Sequence, residues 1–231
     1  MNYKILGDTD CSMVDISLSN NESIKIERGS MVYMKDINLN AKLNSEKSGI
    51  GGLFSAIGRG LTSGESMFIT HAIGTSNNAR IGIAPASPGK IKTLEVAGPR
   101  QYRLNTGAFL ACENSVNYVM KSQGVSKAFF GGTGGFFVME TEGVGKILVS
   151  AFGDLLPIEI NSNNPIIIDN EHVVAWDSSL DYKIEIASGT FGFMSGEGLV
   201  NKFSGNGTVL IQTRNIHSLA SIIDPFITKT N

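Results

Sequence analysis

The chain repeats itself, and a repeat narrows the folds open to it more than any other feature. Three stretches read alike: VDISLSNNESIKIERGSMVYMKDINLNAKL (14–43), LEVAGPRQYRLNTGAFLACENSVNYVM (94–120) and IEINSNNPIIIDNEHVVAWDSSLDYKI (158–184). Each opens on an apolar–acid–apolar triplet: Val14-Asp15-Ile16, Leu94-Glu95-Val96 and Ile158-Glu159-Ile160. In each, an apolar run then ends on an acid, at Asp36, Glu113 and Asp177. The last two copies align without a gap, whereas the first has a longer loop at SNNES.

A glycine-marked segment closes each copy: GESMFITHAIGTSNNARIGIA (64–84), GTGGFFVMETEGVGKILVSA (132–151) and GEGLVNKFSGNGTVLIQT (196–213). The leading glycines are Gly64, Gly132 and Gly196. A phosphate-cradling loop needs a helix directly after it, and TVLIQT is β-branched and apolar. Gly205-Asn206-Gly207 therefore reads as a hairpin turn, where positive φ is cheap. Alternation in IKIE sends Ile24 and Ile26 one way and Lys25 and Glu27 the other. The run PIIID reads as a strand buried on both faces.

The expected fold is all-β: three internal repeats of short antiparallel strands, β-helix-like or barrel-like around a pseudo-threefold axis. It is one domain over 1–231, with repeats at about 14–84, 94–151 and 158–213 and a helical cap over 214–231. The composition agrees, with 27 glycines, 6 prolines and only 17% charged residues. In the tail NIHSLASIIDPFITKTN, Ile216, Leu219, Ala220 and Ile223 share a helical face that Pro225 ends.

The motifs GGLFSAIGRGLTSGESMF (51–68), FGDLLPIEI (152–160) and FMSGEGLVNKFSGNGTVLIQT (193–213) resemble the family named for altered inheritance of mitochondria protein 24. The likeness covers nearly the whole chain, and this chain looks more like the bacterial members, a domain of unknown function. A tryptophan common in the family's closing motif is absent near Leu210. The resemblance implies a fold similar to that of the tryptophan RNA-binding attenuator protein, and self-association. It implies no established activity. Fungal members are linked to mitochondrial biogenesis and inner-membrane organisation.

The first copy carries an insertion within KSGIGGLFSAIGRGLTSG (47–64). There Ile50, Leu53, Phe54, Ile57 and Leu61 fall on one helical face. Five glycines oppose that helix, so it orders only against something apolar: its own subunit, a protein partner or a membrane surface. Asp36, Glu113 and Asp177 are candidate ligands for a hard cation if an axis gathers them. The other reading is three separate turn residues accepting backbone N–H bonds. His71, His172 and His217 lack metal-ligand spacing and read as ordinary surface or strand histidines. Trp176 packs with its indole N–H at a polar edge.

The 19 Lys and Arg form no basic run, so nucleic acid is not an expected partner. Cys11 and Cys112 make no disulfide framework. No signal sequence or transmembrane run is read, so a cytoplasmic location is expected. The reading is a non-enzymatic scaffold or interaction protein, homo-oligomeric and without a cofactor, acting through a protein or membrane contact. The rival is a small-molecule or metal-binding protein, with or without catalysis, that uses the acids.

Overall fold

The computed structural model describes residues 1–7, 11–43, 68–105, 107–122, 137–187 and 199–227. The first run holds β1 (Asn2–Leu6), β2 (Met13–Leu18), β3 (Ser23–Ile26), β4 (Met31–Lys35), β5 (Ile37–Leu43), β6 (Phe68–Gly74) and β7 (Ala79–Ile83). Next come β8 (Ile91–Val96), β9 (Tyr102–Leu104), β10 (Phe109–Glu113), β11 (Val116–Ser122), β12 (Phe137–Gly143) and β13 (Gly145–Ser150). The last are β14 (Leu155–Ile160), β15 (Ile166–Asp169), β16 (Val173–Asp177), β17 (Asp181–Ile186), β18 (Leu199–Ser204) and β19 (Gly207–Gln212). A single α-helix among the described residues, α1 (Ile216–Ile223), follows, with the Asn215 side chain capping it by accepting from the Ser218 N–H.

The strands form four antiparallel sheets, ordered β1-β2-β7-β4, β5-β6-β3-β10-β13-β8, β11-β12-β9-β16-β19-β14 and β15-β18-β17. The chain all-β class stands, but no closed barrel forms: every sheet ends in two edges. The glycine segments are not hairpins either. β18 pairs with β15 and β17, whereas β19 pairs with β14 and β16. The turn at Gly205 (φ 101) is thus a corner that hands the chain from one sheet to the next. Period-2 alternation is the same in a hairpin and across such a corner, so sequence pattern does not separate them.

The core falls into three clusters. Core A gathers Val14, Ile16, Ile24, Ile26, Ile81 and their neighbours, and takes in Leu110, Ala111 and Leu148 from β10 and β13. Core B gathers Leu94, Leu104, Phe109, Cys112, Val116, Ile147 and others, and takes in Val174, Ala175 and Leu210 from β16 and β19. Core C is smaller, built on Ile160, Ile168, Trp176, Leu180, Phe203 and Val209 with Val138.

Position within a sheet, which alternation does not report, decides two exposures. Lys25 points away from Ile24 and Ile26 yet is only 7% exposed, because β3 is an interior strand with both flanks paired. Its ammonium donates to the Val116 carbonyl and to Asn117 Oδ1, both at 2.7 Å, which offsets the cost of burial. Conversely, PIIID is not buried on both faces. β15 is an edge strand paired only with β18, and Ile167 is 60% exposed.

Candidate interaction surface

Three strands carry a β-bulge at the same point. In β10 the pairing with β13 shifts between Phe109 and Ala111. In β16 the pairing with β19 shifts between Val173 and Ala175. In β4 the pairing with β7 shifts between Met31 and Tyr33. The extra residues are Leu110, Val174 and Val32. A bulge turns its residue off the ladder and re-aims it.

For Leu110 and Val174 the new direction is the core of the neighbouring sheet. Leu110 is fully buried in core A and Val174 is buried in core B. Their carbonyls accept the N–H groups of Glu27 and Asn105 at 2.8 and 2.9 Å. These bonds extend the ladders β10–β3 and β16–β9, whose registers are alike: Ala111 opposite Ile26 and Ala175 opposite Leu104. A cation seals each junction. Lys25 reaches the Val116 carbonyl from β3, and Arg103 reaches the Leu180 carbonyl (3.2 Å) and Glu140 (2.7 Å) from β9. Arg103 also lies over the Tyr182 ring, 5.4 Å from its centroid. Burial pushes the Lys25 ammonium below its ordinary range. Burial alone would raise the Glu140 carboxyl, but the Lys121 and Arg103 hydrogen bonds outweigh it and hold the group low.

Among the described residues β4 lacks the second neighbour. No described strand pairs its outer edge, and Met31, Val32, Tyr33 and Met34 are all exposed, Val32 at 55%. β15 is the matching open edge at the other end of the strand order. Where β3 and β9 present Lys25 and Arg103, β15 presents exposed Ile167. Among the described residues, core C receives nothing from β4.

The three acids are not brought together. Among the described residues, no three His, Cys, Asp or Glu side chains form a ligand set. Each acid instead stands at its own sheet-to-sheet corner beside a glycine corner. Glu113 accepts the Lys146 backbone N–H at 2.9 Å and pairs with the chain's amino terminus. Burial alone would raise its carboxyl, but the terminal ammonium and the Lys146 N–H hold it low. Asp177 accepts the Thr208 N–H at 2.8 Å, with Arg100 at 3.5 Å. Asp36, at φ 54, accepts the Ser76 hydroxyl at 2.9 Å. The glycines serve this approach: a Cβ on Gly145 would come within 2.6 Å of Glu113 Oε2, and one on Gly207 within 3.1 Å of Asp177 Oδ2.

Ile50, Leu53, Phe54, Ile57, Leu61, Gly64, Gly132 and Gly196 lie outside the described residues. Cys112 is fully buried, and burial pushes its thiol up to about 12, which keeps it from acting as a thiolate. Trp176 is 1% exposed, not at a polar edge, and its indole N–H has no partner among the described residues. His172 is a latch rather than a surface histidine. Its Nδ1 donates to the Gln212 carbonyl at 2.7 Å, which leaves Nε2 to accept from Asn215 Nδ2 at 3.2 Å. The bulges and this latch escape sequence reading, because no residue type marks them.

The chain is 42% identical, over 98% of its length and 91% of the other's, to an uncharacterised protein of Streptococcus pyogenes serotype M6. A crystal structure of a Streptococcus pyogenes protein matches the fold with TM-score 0.80 at 40% identity, covering 98% of this chain and 99% of that one. No described helix is long and apolar enough to cross a membrane. Residues 3–214 match the family described as Mitochondrial biogenesis AIM24, and the chain belongs to that family.

Proposed function

We propose that this chain is a non-enzymatic scaffold of three repeated units that assembles from copies of itself, β15 of one copy pairing with β4 of the next. The observation that carries the reading is the exposed, bulged, unpaired β4. Its counterparts β10 and β16 each feed a bulged residue into a neighbour's core and pair with the strand there. By the same register Tyr33 stands opposite Ile168 and Met34 opposite Ile167. Val32 and Tyr33 then complete core C as Leu110 and Ala111 complete core A. Such a contact is heterologous, so it runs head to tail. An exposed apolar edge is a hazard for a lone molecule, and pairing removes it.

The repeat itself draws support from the three equivalent bulges and the matching strand orders of the two six-stranded sheets. The test is a cross-link. In a Cys11→Ser background, Met34→Cys with Ile167→Cys forms disulfides between copies, read as a ladder on a non-reducing gel. A bond confined within single chains, or wild type that runs as a monomer by light scattering, overturns the reading.

A second reading, contact with a membrane surface, is favoured by the exposed Ile222, Ile223, Phe226 and Ile227 at the end of α1. Liposome flotation of wild type beside Phe226→Asp tests it: both remaining unbound excludes that contact.

A further inference from the structure

One cavity of about 620 Å³ opens where the ends of β9 and β13 and the 3-10 turn before β16 meet α1. That volume falls within the range of small-molecule sites. Its walls are largely apolar: Pro88, Ala108, Ala151, Phe152, Val174 and, from α1, Leu219.

Two polar residues of the wall are deeply buried and incompletely bonded. Asn170, on the 3-10 turn, is 8% exposed, and Ser150, at the end of β13, is 4% exposed. Asn170 Oδ1 accepts from Asn201 Nδ2 at 2.8 Å. That bond fixes which way the Asn170 amide faces, and its Nδ2 is left as a donor with no acceptor among the described residues. The Ser150 backbone N–H is bonded, but its hydroxyl meets no partner among the described residues. Neither group is sealed in, since the enclosed side-chain polar atom without a partner among the described residues is Trp176 Nε1. Both therefore open on accessible space, and the space that both residues line is the cavity. Buried polar groups are bonded as a rule, so two left open on one cavity point to something that meets them there.

A third group belongs with them. Asn105 Nδ2 donates to the carbonyls of Asn170 and Val173 at 3.1 and 3.0 Å, which commits the amide nitrogen and leaves Oδ1 to accept. Backbone bonds tie Ser150 to the same place: its N–H donates to the Ala108 carbonyl at 2.9 Å, and the Ala108 N–H donates to the Asn105 carbonyl at 3.2 Å. Gln212 Nε2 holds the 3-10 turn by donating to the Glu171 carbonyl at 2.8 Å. The wall is thus built before any ligand arrives.

We infer that this cavity binds a primary carboxamide carried on an apolar body. The ligand carbonyl accepts from Asn170 Nδ2, its N–H groups donate to Asn105 Oδ1 and Ser150 Oγ, and the body rests on Phe152, Val174 and Leu219. A carboxylate of the same shape has no N–H to give. The described lining offers it no lysine or arginine, and the imidazole there, His217, faces Glu171 Oε1 at 3.9 Å. An ammonium offers no acceptor to Asn170 Nδ2, and a buried donor left unmet costs affinity.

Calorimetric titration of the full chain with naphthylacetamide, naphthylacetate and naphthylethylamine, which share one apolar body, tests the match. The acetamide binds about tenfold tighter than either of the others. Asn170→Asp keeps an acceptor for Asn201, turns the open donor into an acceptor, and lowers the acetamide's affinity about tenfold. Ser150→Ala removes a hydroxyl that has no partner among the described residues, so it leaves the urea midpoint unchanged and lowers the acetamide's affinity about fivefold. It decides alone if Asn170→Asp does not fold. Binding of the acetate or the amine as tight as that of the acetamide, no binding by any of the three, or an acetamide affinity that Ser150→Ala leaves unchanged overturns the proposal.

Discussion

Strands β10 and β4 each bulge at their second residue, Leu110 and Val32, and each pairs through that bulge with a later strand, β13 or β7. Leu110 is fully buried; Val32 is 55% exposed. Local sequence does not explain the difference, since FLACE and MVYMK are both apolar and both suit a strand. The other edge explains it. β10 has β3 beside it, and among the described residues β4 has no strand there. A bulged residue in this fold belongs to the core of its neighbour, so its burial depends on whether that neighbour is present.

The sharpest way to break this comparison is to put a charge at both places. Leu110→Asp buries an unpaired carboxylate in core A and costs more than about 4 kcal/mol, enough to unfold the chain. Val32→Asp leaves the urea midpoint of the dilute monomer within about 0.5 kcal/mol of wild type, and abolishes assembly. Circular dichroism with light scattering on the two variants separates the outcomes. If Val32→Asp unfolds the monomer as Leu110→Asp does, the two bulges are equivalent within one chain and the edge is not an interface.

The cations sharpen the same contrast. Arg103→Ala removes one of the two cations on Glu140, leaving Lys121, and the donor to the Leu180 carbonyl inside a sealed junction, and costs about 2–3 kcal/mol. Ile167→Ala, at the corresponding place on the open edge, costs the monomer less than about 0.5 kcal/mol. Denaturant midpoints below the assembly concentration measure both.

Much of this was legible in the sequence, and the rest was not, for identifiable reasons. The acid at each strand end was visible as a repeated mark, but the glycines read with it, Gly64, Gly132 and Gly196, lie outside the described residues; the close approaches are Glu113 to Gly145 and Asp177 to Gly207, where a carboxylate meets a backbone that has no Cβ. The corner was misread as a hairpin because alternation reports which way a side chain points, not which strand it pairs with. The double burial expected of PIIID fails at Ile167, and the burial of Lys25 goes unannounced, for the converse reason. An interior strand buries a lysine when carbonyls are there to meet it, and an edge strand exposes an isoleucine when its neighbour is missing. Asn105, Glu171, Gln212 and Asn215 line one cavity of about 620 Å³ from distant parts of the chain, and no spacing announces that.

Acid acts on both sides of the comparison, at the Glu113 and Glu140 carboxylates and at Asp15, which Tyr33 of β4 contacts. Asp15, Glu113 and Glu140 all have carboxyls held below the ordinary range, Asp15 chiefly by hydrogen bonds from Arg80 and Tyr33. A depressed folded pKa gives stability that is complete above the unfolded value and is lost as pH falls through the folded one. The urea midpoint therefore holds from neutral pH down to the ordinary carboxylate range and drops below it. Glu140→Gln flattens part of that fall, and a profile identical to wild type would mean that the Arg103 junction does not hold its charge.

The smallest expected effects come from the three corners, and they separate residues that sequence makes equivalent. Asp177 accepts the Thr208 backbone N–H, and its carboxylate is mostly covered. Asp177→Asn keeps the size but gives up the charged acceptor, and costs about 1–2 kcal/mol. Among the described residues Asp36 accepts only the Ser76 hydroxyl, at an exposed site, and its backbone sits at φ 54. Asparagine tolerates that left-handed conformation at least as well as aspartate, so Asp36→Asn leaves stability within about 0.5 kcal/mol or raises it slightly. Paired urea titrations decide between two accounts of the repeat. Equal losses would mean that these two acids do one job. A loss at Asp177 alone means that the corner on the side of the open β4 edge is free of the constraint that holds Asp177.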